Sequence, residues 1–112
     1  MNISISCQEI SPWTVLKVSG DLDVESSPEV RQAVIAEVAS GARWIILDLS
    51  NVQFVDSLGI GVVVGALKRI RQRGGDMRLI RPESRIWRIF EICAINKIML
   101  YSDNIDDLLY DS

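Results

Sequence analysis

The chain has 112 residues with 12 basic and 15 acidic side chains, a net charge of −3 and no histidine. That excludes a Ser-His-Asp triad, a His-ligated metal and a phosphohistidine relay, and two cysteines are too few for a four-thiolate zinc site or a disulfide scaffold. With 48% hydrophobic and 24% charged residues, the composition is that of one folded domain spanning 1–112.

Met1-Asn2-Ile3 has neither the basic start nor the apolar run of a secretory signal. Leu58 to Leu67 is the longest uncharged apolar stretch, and three glycines interrupt it. It falls far short of the roughly 20 residues a membrane helix needs. No membrane insertion is expected, and a cytoplasmic location with reduced thiols follows. Ile3, Ile5 and Cys7 alternate with Ser4, Ser6 and Gln8, the period of a strand with one buried face. A turn at Ser11-Pro12 leads to a second strand, Trp13 to Ser19, which ends at Gly20-Asp21-Leu22-Asp23. Ser26 and Glu29 form a capping-box pattern, and Val30, Val34 and Val38 line one face of a helix that Gly41 stops.

Trp44 to Leu47 is apolar on both faces, as in a central strand. Asp48 to Asp56 reads as a loop, followed by a helix from Ser57 to about Arg73 and by Gly74-Gly75. A strand at Met77–Ile80, a helix from Ser84 to about Cys93, a short strand at Lys97–Tyr101 and a terminal helix holding Ile105, Leu108 and Leu109 complete the chain. This order predicts an α/β fold: a mixed, mostly parallel sheet behind an N-terminal hairpin, with about four α-helices.

The segment from Asp48 to Gly61 carries the strongest functional signal, because strand C-termini of parallel sheets are where sites gather. Ser57 falls where a helix N-cap belongs. In the helix that follows, Ile60, Val63, Val64, Leu67 and Ile70 form the core face. The opposite side holds Leu58, Gly61, Val62, Gly65 and Ala66, then Arg69, Gln72 and Arg73. A face that is small and apolar for two turns suits the docking of another protein. Cover by a neighbouring loop, or close packing at Gly61 and Gly65 within the domain, would explain it equally well.

Charge divides along the chain: residues 1–56 carry a net −5, residues 57–100 a net +6, and residues 101–112 a net −4. The sign changes at Asp56-Ser57, where acidic turns are expected to gather. Seven arginines between Arg69 and Arg88 invite a nucleic-acid reading, but aromatics for stacking are few and the sequence pI is near 4.8. Phe90 joins Ile86, Ile89 and Cys93 on an apolar helical face, and Cys7 shares the alternation of Ile3 and Ile5. Both cysteines therefore read as small buried hydrophobes. Asp21/Asp23 and Asp106/Asp107 suit turns and helix starts. Gly59-Ile60-Gly61 has neither the Lys-Ser/Thr of a P-loop nor the third glycine of a dinucleotide fingerprint.

Phe54-Val55-Asp56-Ser57-Leu58-Gly59-Ile60-Gly61-Val62, with Gly74-Gly75 behind it and Gly20-Asp21-Leu22-Asp23 ahead, resembles the bacterial anti-sigma factor antagonists, single-domain members of the STAS fold. The resemblance runs from about Ile5 to Leu109. It implies a non-enzymatic protein without a cofactor that binds an anti-sigma factor, itself a serine kinase with a GHKL-type ATP site. It further implies that phosphorylation of Ser57 ends the interaction and that a serine phosphatase restores it. On this reading Asp23, Asp56, Ser57, Leu58, Gly61, Val62, Ala66 and Arg69 form the partner-binding face. Two departures stand out. Leu58 replaces the second serine of the family's D-S-S-G, and Cys93-Ala94-Ile95 replaces a glycine common before the last strand, which bears on the helix C-cap. Alternative readings are a small-ligand or nucleotide-binding module, a transport-associated module, and a scaffold subunit of a sensory complex.

Overall fold

The computed structural model describes residues 3–110. Five strands pair in the order β1-β2-β3-β4-β5, where β1 is Ile3–Ile10, β2 Trp13–Leu22, β3 Trp44–Val55, β4 Asp76–Ile80 and β5 Tyr101–Ser102. β1 and β2 form an antiparallel hairpin closed by Ser11-Pro12, and every other pairing is parallel. Helices α1 (Ser27–Ala39), α2 (Ser57–Gln72) and α3 (Ser84–Ile92) make the three crossovers. Each crossover advances one strand in the same direction. Since βαβ units are right-handed, all three helices fall on one face of the sheet.

The core lies between that face and the helices. Leu16, Val18, Ile45, Leu47, Met77 and Leu79 of the sheet meet Val30 and Val34 of α1, Val63, Leu67 and Ile70 of α2, and Phe90 of α3. The opposite face holds Trp13, Val15, Ile46 and Ile80, covered by Ile105, Leu108 and Leu109 of the C-terminal segment. Arg78 rises from this second face, only 2% exposed, between the rings of Trp13 at 4.5 Å and Tyr110 at 4.4 Å. Its Nη1 donates to the carbonyls of Leu108 and Tyr110, both at 2.7 Å.

The expected α/β architecture and hairpin are present, with five corrections. Asp48 to Val55, expected as a loop, continues β3 and pairs with β2 through two register shifts, between Lys17 and Ser19 and between Gly20 and Asp21. The first shift falls where Asp48 takes the Ser50 N–H at 2.9 Å and the Ser50 hydroxyl at 2.7 Å. The polar residues that suggested a loop are the ones that make the bulge. There are three α-helices among the described residues, not about four: Ile105–Asp107 is a 3₁₀ turn. The expected strand at Lys97–Tyr101 shrinks to Tyr101–Ser102, because a 3₁₀ turn at Ile95–Lys97 buries Ile95 after α3. Cys7 and Cys93 are exposed rather than buried. Ile89 of the expected α3 core stripe is 40% exposed, since Ile86, Trp87 and Phe90 already fill that face.

Candidate functional site

The C-terminal ends of β2 and β3 lie side by side, with Asp21 opposite Phe54 and Leu22 opposite Val55. This brings the turn at Asp21–Glu25 against the head of α2. Asp56, in extended backbone, is the N-cap of α2: its Oδ1 accepts the Gly59 N–H at 2.9 Å. Its Oδ2 accepts the Val24 N–H at 3.0 Å, and its own N–H donates to the Leu22 carbonyl at 3.2 Å. A Cβ on Gly59 would run into that Leu22 carbonyl, so only glycine allows the turn and the helix to meet this closely.

The turn is held by its own side chains. The Asp23 carboxylate accepts from the Glu25 and Ser26 N–H groups, each at 3.1 Å. Ser26 occupies the N-cap of α1, yet its hydroxyl does not serve the helix. It donates to the Asp21 carbonyl at 2.6 Å and accepts the Asp23 N–H at 3.0 Å, so the expected capping box is not made.

Ser57 is the first residue of α2 rather than its cap, because the Asp56 carboxylate already takes the orphan N–H group a cap would serve. Its side chain is exposed and its hydroxyl makes no hydrogen bond among the described residues. Around it, Val24, Phe54 and Leu58 are 56%, 52% and 53% exposed. Val24 and Phe54 were missed from sequence. Phe54 stands within the family-like run, but the bulges disturb the alternation that would have shown it facing out.

Next to this head a groove of about 260 Å³ runs between two helices, walled by Arg31 and Val34 of α1 and by Leu58, Gly61, Val62, Gly65, Ala66 and Arg69 of α2. Five of the eight residues expected on the docking face, Leu58, Gly61, Val62, Ala66 and Arg69, therefore line one cleft, while Asp23, Asp56 and Ser57 sit at the head. Ala66 is 5% exposed and forms the floor rather than a projecting contact. A Cβ on Gly61 or Gly65 would meet nothing within 4 Å, which removes close packing within the domain as the reason for either glycine. Each costs a helix interior about 0.5–1 kcal/mol relative to alanine.

The basic stretch is largely committed to the fold. Arg71 pairs with Asp76 at 2.9 Å, Arg85 with Glu83 at 2.7 Å, and Arg81 with Asp103 through two hydrogen bonds, while Arg78 is buried. The Arg81 hydrogen bond holds the Asp103 carboxyl below its ordinary range. Arg31 and Arg69 have no ion-pair partner among the described residues. Elsewhere, Cys7, Glu9 and Glu37 bring their donor atoms within 4.8 Å of one another. Desolvation, then the two carboxylates, push the Cys7 thiol up from its ordinary value. An open polar depression of about 670 Å³ lies along the bulged part of β2 and β3, lined in part by Asp21, Ser50, Asn51 and Gln53. No described helix is long and apolar enough to cross a membrane.

Residues 4–108 match the STAS domain family. The anti-sigma-B factor antagonist of Staphylococcus aureus is 33% identical over 99 residues, covering 88% of this chain and 92% of that protein. Among solved structures, an anti-sigma factor antagonist from Mycobacterium paratuberculosis superposes with a TM-score of 0.86 at 23% identity, over 96% of this chain and 91% of the other. The Bacillus cell fate determinant SpoIIAA in its phosphorylated form superposes with a TM-score of 0.72 at 20% identity, over 94% and 96% of the two chains.

Proposed function

The chain belongs to the STAS-domain family of anti-sigma factor antagonists, and on that premise we propose that it is a partner-switching protein governed by a phosphate on Ser57. One observation carries the proposal: an exposed, unbonded serine hydroxyl at the first position of a helix whose cap is already supplied by Asp56. A phosphate there adds about −1.5 to −2 charges. The helix N-terminus accommodates that charge through its free N–H groups and dipole, so the fold stays intact.

The interface does not accommodate it. Asp23 and Asp56 already make the head acidic, and Val24, Phe54 and Leu58 present exposed apolar surface beside Ser57. A partner that buries those side chains would have to desolvate a dianion next to two carboxylates. Unphosphorylated protein binds the anti-sigma factor and frees the sigma factor; the phosphorylated form lets go. The chain itself performs no catalysis and needs no cofactor. ATP chemistry belongs to the anti-sigma factor acting as a GHKL-type serine kinase, and a serine phosphatase resets the switch in the cytoplasm.

The decisive experiment mixes the protein with its purified anti-sigma factor and ATP, maps phosphate by mass spectrometry and compares binding of Ser57→Ala and Ser57→Asp. Phosphate confined to Ser57 and a loss of affinity in Ser57→Asp alone are expected. Equal affinities, or no phosphate on Ser57, sink the reading. The open polar depression beside Asp21 and Ser50 supports a second reading, a small-ligand module, which saturable nucleotide binding by the chain alone would favour.

A further inference from the structure

The glycines of α2 and its flanks fall into two groups. Gly59, Gly74 and Gly75 are required by the fold: a Cβ on Gly59 or Gly75 would strike a backbone carbonyl, that of Leu22 or Arg43, and Gly74 has a left-handed φ of 82°. Gly61 and Gly65 are not: neither has positive φ, and the space above each is open. Within this chain they bring only the conformational cost of glycine in a helix. They are one turn apart, on the wall of the groove that α1 completes with Arg31 and Val34. Arg31 and Arg69 stand one on each helix of this groove. Neither has a carboxylate partner among the described residues; Arg43, Arg73 and Arg88 have none either, but they lie outside the groove.

We propose that the groove between α1 and α2 receives an amphipathic helix of the anti-sigma factor, laid against the backbone of α2 at Gly61 and Gly65 and bearing carboxylates that meet Arg31 and Arg69. This rests on the partner-switching reading and extends it from the phosphorylated head to the body of the interface. Removing the side chains at 61 and 65 lowers the wall by a methyl group at each place, which lets a second helix approach backbone to backbone. Leu58 and Val62 supply the apolar contact, and the two guanidiniums select an acidic occupant. The surface thus has two unlike ends, an acidic head that senses the phosphate and a cationic cleft that holds the partner.

The test uses the full chain and the purified anti-sigma factor without ATP, with affinity measured by calorimetry and folding by thermal melts. Gly61→Ala combined with Gly65→Ala is expected to raise the melting temperature by a few degrees while weakening binding at least tenfold. Arg31→Glu combined with Arg69→Glu is expected to leave the melt unchanged, weaken binding at least tenfold and flatten its salt dependence. If the alanine pair melts higher and binds within twofold of the parent, the groove is not the docking site, although the switch at Ser57 stands. If the parent chain does not bind the anti-sigma factor at all, the partner reading fails and this inference fails with it.

Discussion

The carboxylate of Asp56 ties the head of α2 to a residue 32 positions upstream, accepting the Val24 N–H on one oxygen and the Gly59 N–H on the other. One side chain therefore caps α2 and anchors the acidic turn beside it. Asp56→Ala is expected to cost about 1–3 kcal/mol, a cap plus a second charge-assisted hydrogen bond. Asp56→Asn, which keeps one acceptor, should cost about half as much. Urea titration measures both, and a loss within error for Asp56→Ala would show that water replaces the carboxylate.

Ser57→Asp should separate folding from binding. A negative charge in the first turn of α2 favours the helix by about 0.3–1 kcal/mol. The melting temperature should hold or rise slightly while affinity for the anti-sigma factor falls at least tenfold. A variant that melts well below the parent would place the effect in the fold instead.

Ala94 takes the left-handed conformation, φ 61°, directly after the C-cap of α3. A Cβ in that region is strained, and glycine is the residue that closes helices this way. Ala94→Gly is therefore expected to stabilise by about 0.5–1 kcal/mol, the reverse of glycine's usual effect. Chemical denaturation at neutral pH gives the sign directly.

Arg81 lowers the Asp103 carboxyl in the folded chain. A depressed carboxylate adds stability above its unfolded value and loses it as pH falls through the folded one, so the contribution is full at neutral pH and fades below about pH 4. Asp103→Asn should reduce stability slightly at pH 7, and the gap from the parent should narrow as the pH falls below the ordinary carboxylate range. The effect is small because Asp103 is exposed.

Arg78 holds residues 108–110 to the second face of the sheet through two carbonyls and two aromatic rings. Arg78→Ala leaves those carbonyls unpaired and opens a cavity under Trp13, a loss of about 2–4 kcal/mol. Limited proteolysis should then cut after Ser102 well before the rest of the chain. A normal digestion pattern would show that Leu108 and Leu109 suffice to hold the segment.

The legible parts of the fold were those where periodicity and a start or stop signal coincided. The heads and tails of α1 and α2, the hairpin and the central apolar strand all met that condition. β3 was read too short because Asp48, Ser50, Asn51 and Gln53 look like loop residues, and only the partner strand reveals that they are bulged rather than unpaired. The cysteines deceived in the opposite way: Cys7 lies in phase with Ile3 and Ile5, but on this edge strand it meets the carboxylate of Glu37 on α1 rather than the apolar core, and it stays exposed. The α2 wall of the groove was legible in the helical spacing of Leu58, Gly61, Val62, Ala66 and Arg69. Its second wall was not, since nothing in the spacing of Arg31 and Val34 announces that α1 passes beside Gly61 and Gly65.

The two register shifts between β2 and β3 act as a length gauge. Lys17 lies opposite Asp48 but Leu22 opposite Val55, so β3 spends two more residues than β2 to cover the same span. Leu49, Val52 and Val55 consequently face the core at intervals of three, and Asp56 emerges level with Leu22 and within reach of Val24. Deleting one residue between Ser50 and Gln53 would turn Phe54 inward and carry the carboxylate away from its turn, even with every residue of the site still present. The tolerance of this protein to change is therefore asymmetric: substitution of the exposed Ser50, Asn51 or Gln53 is cheap, and a single insertion or deletion would dismantle the switch.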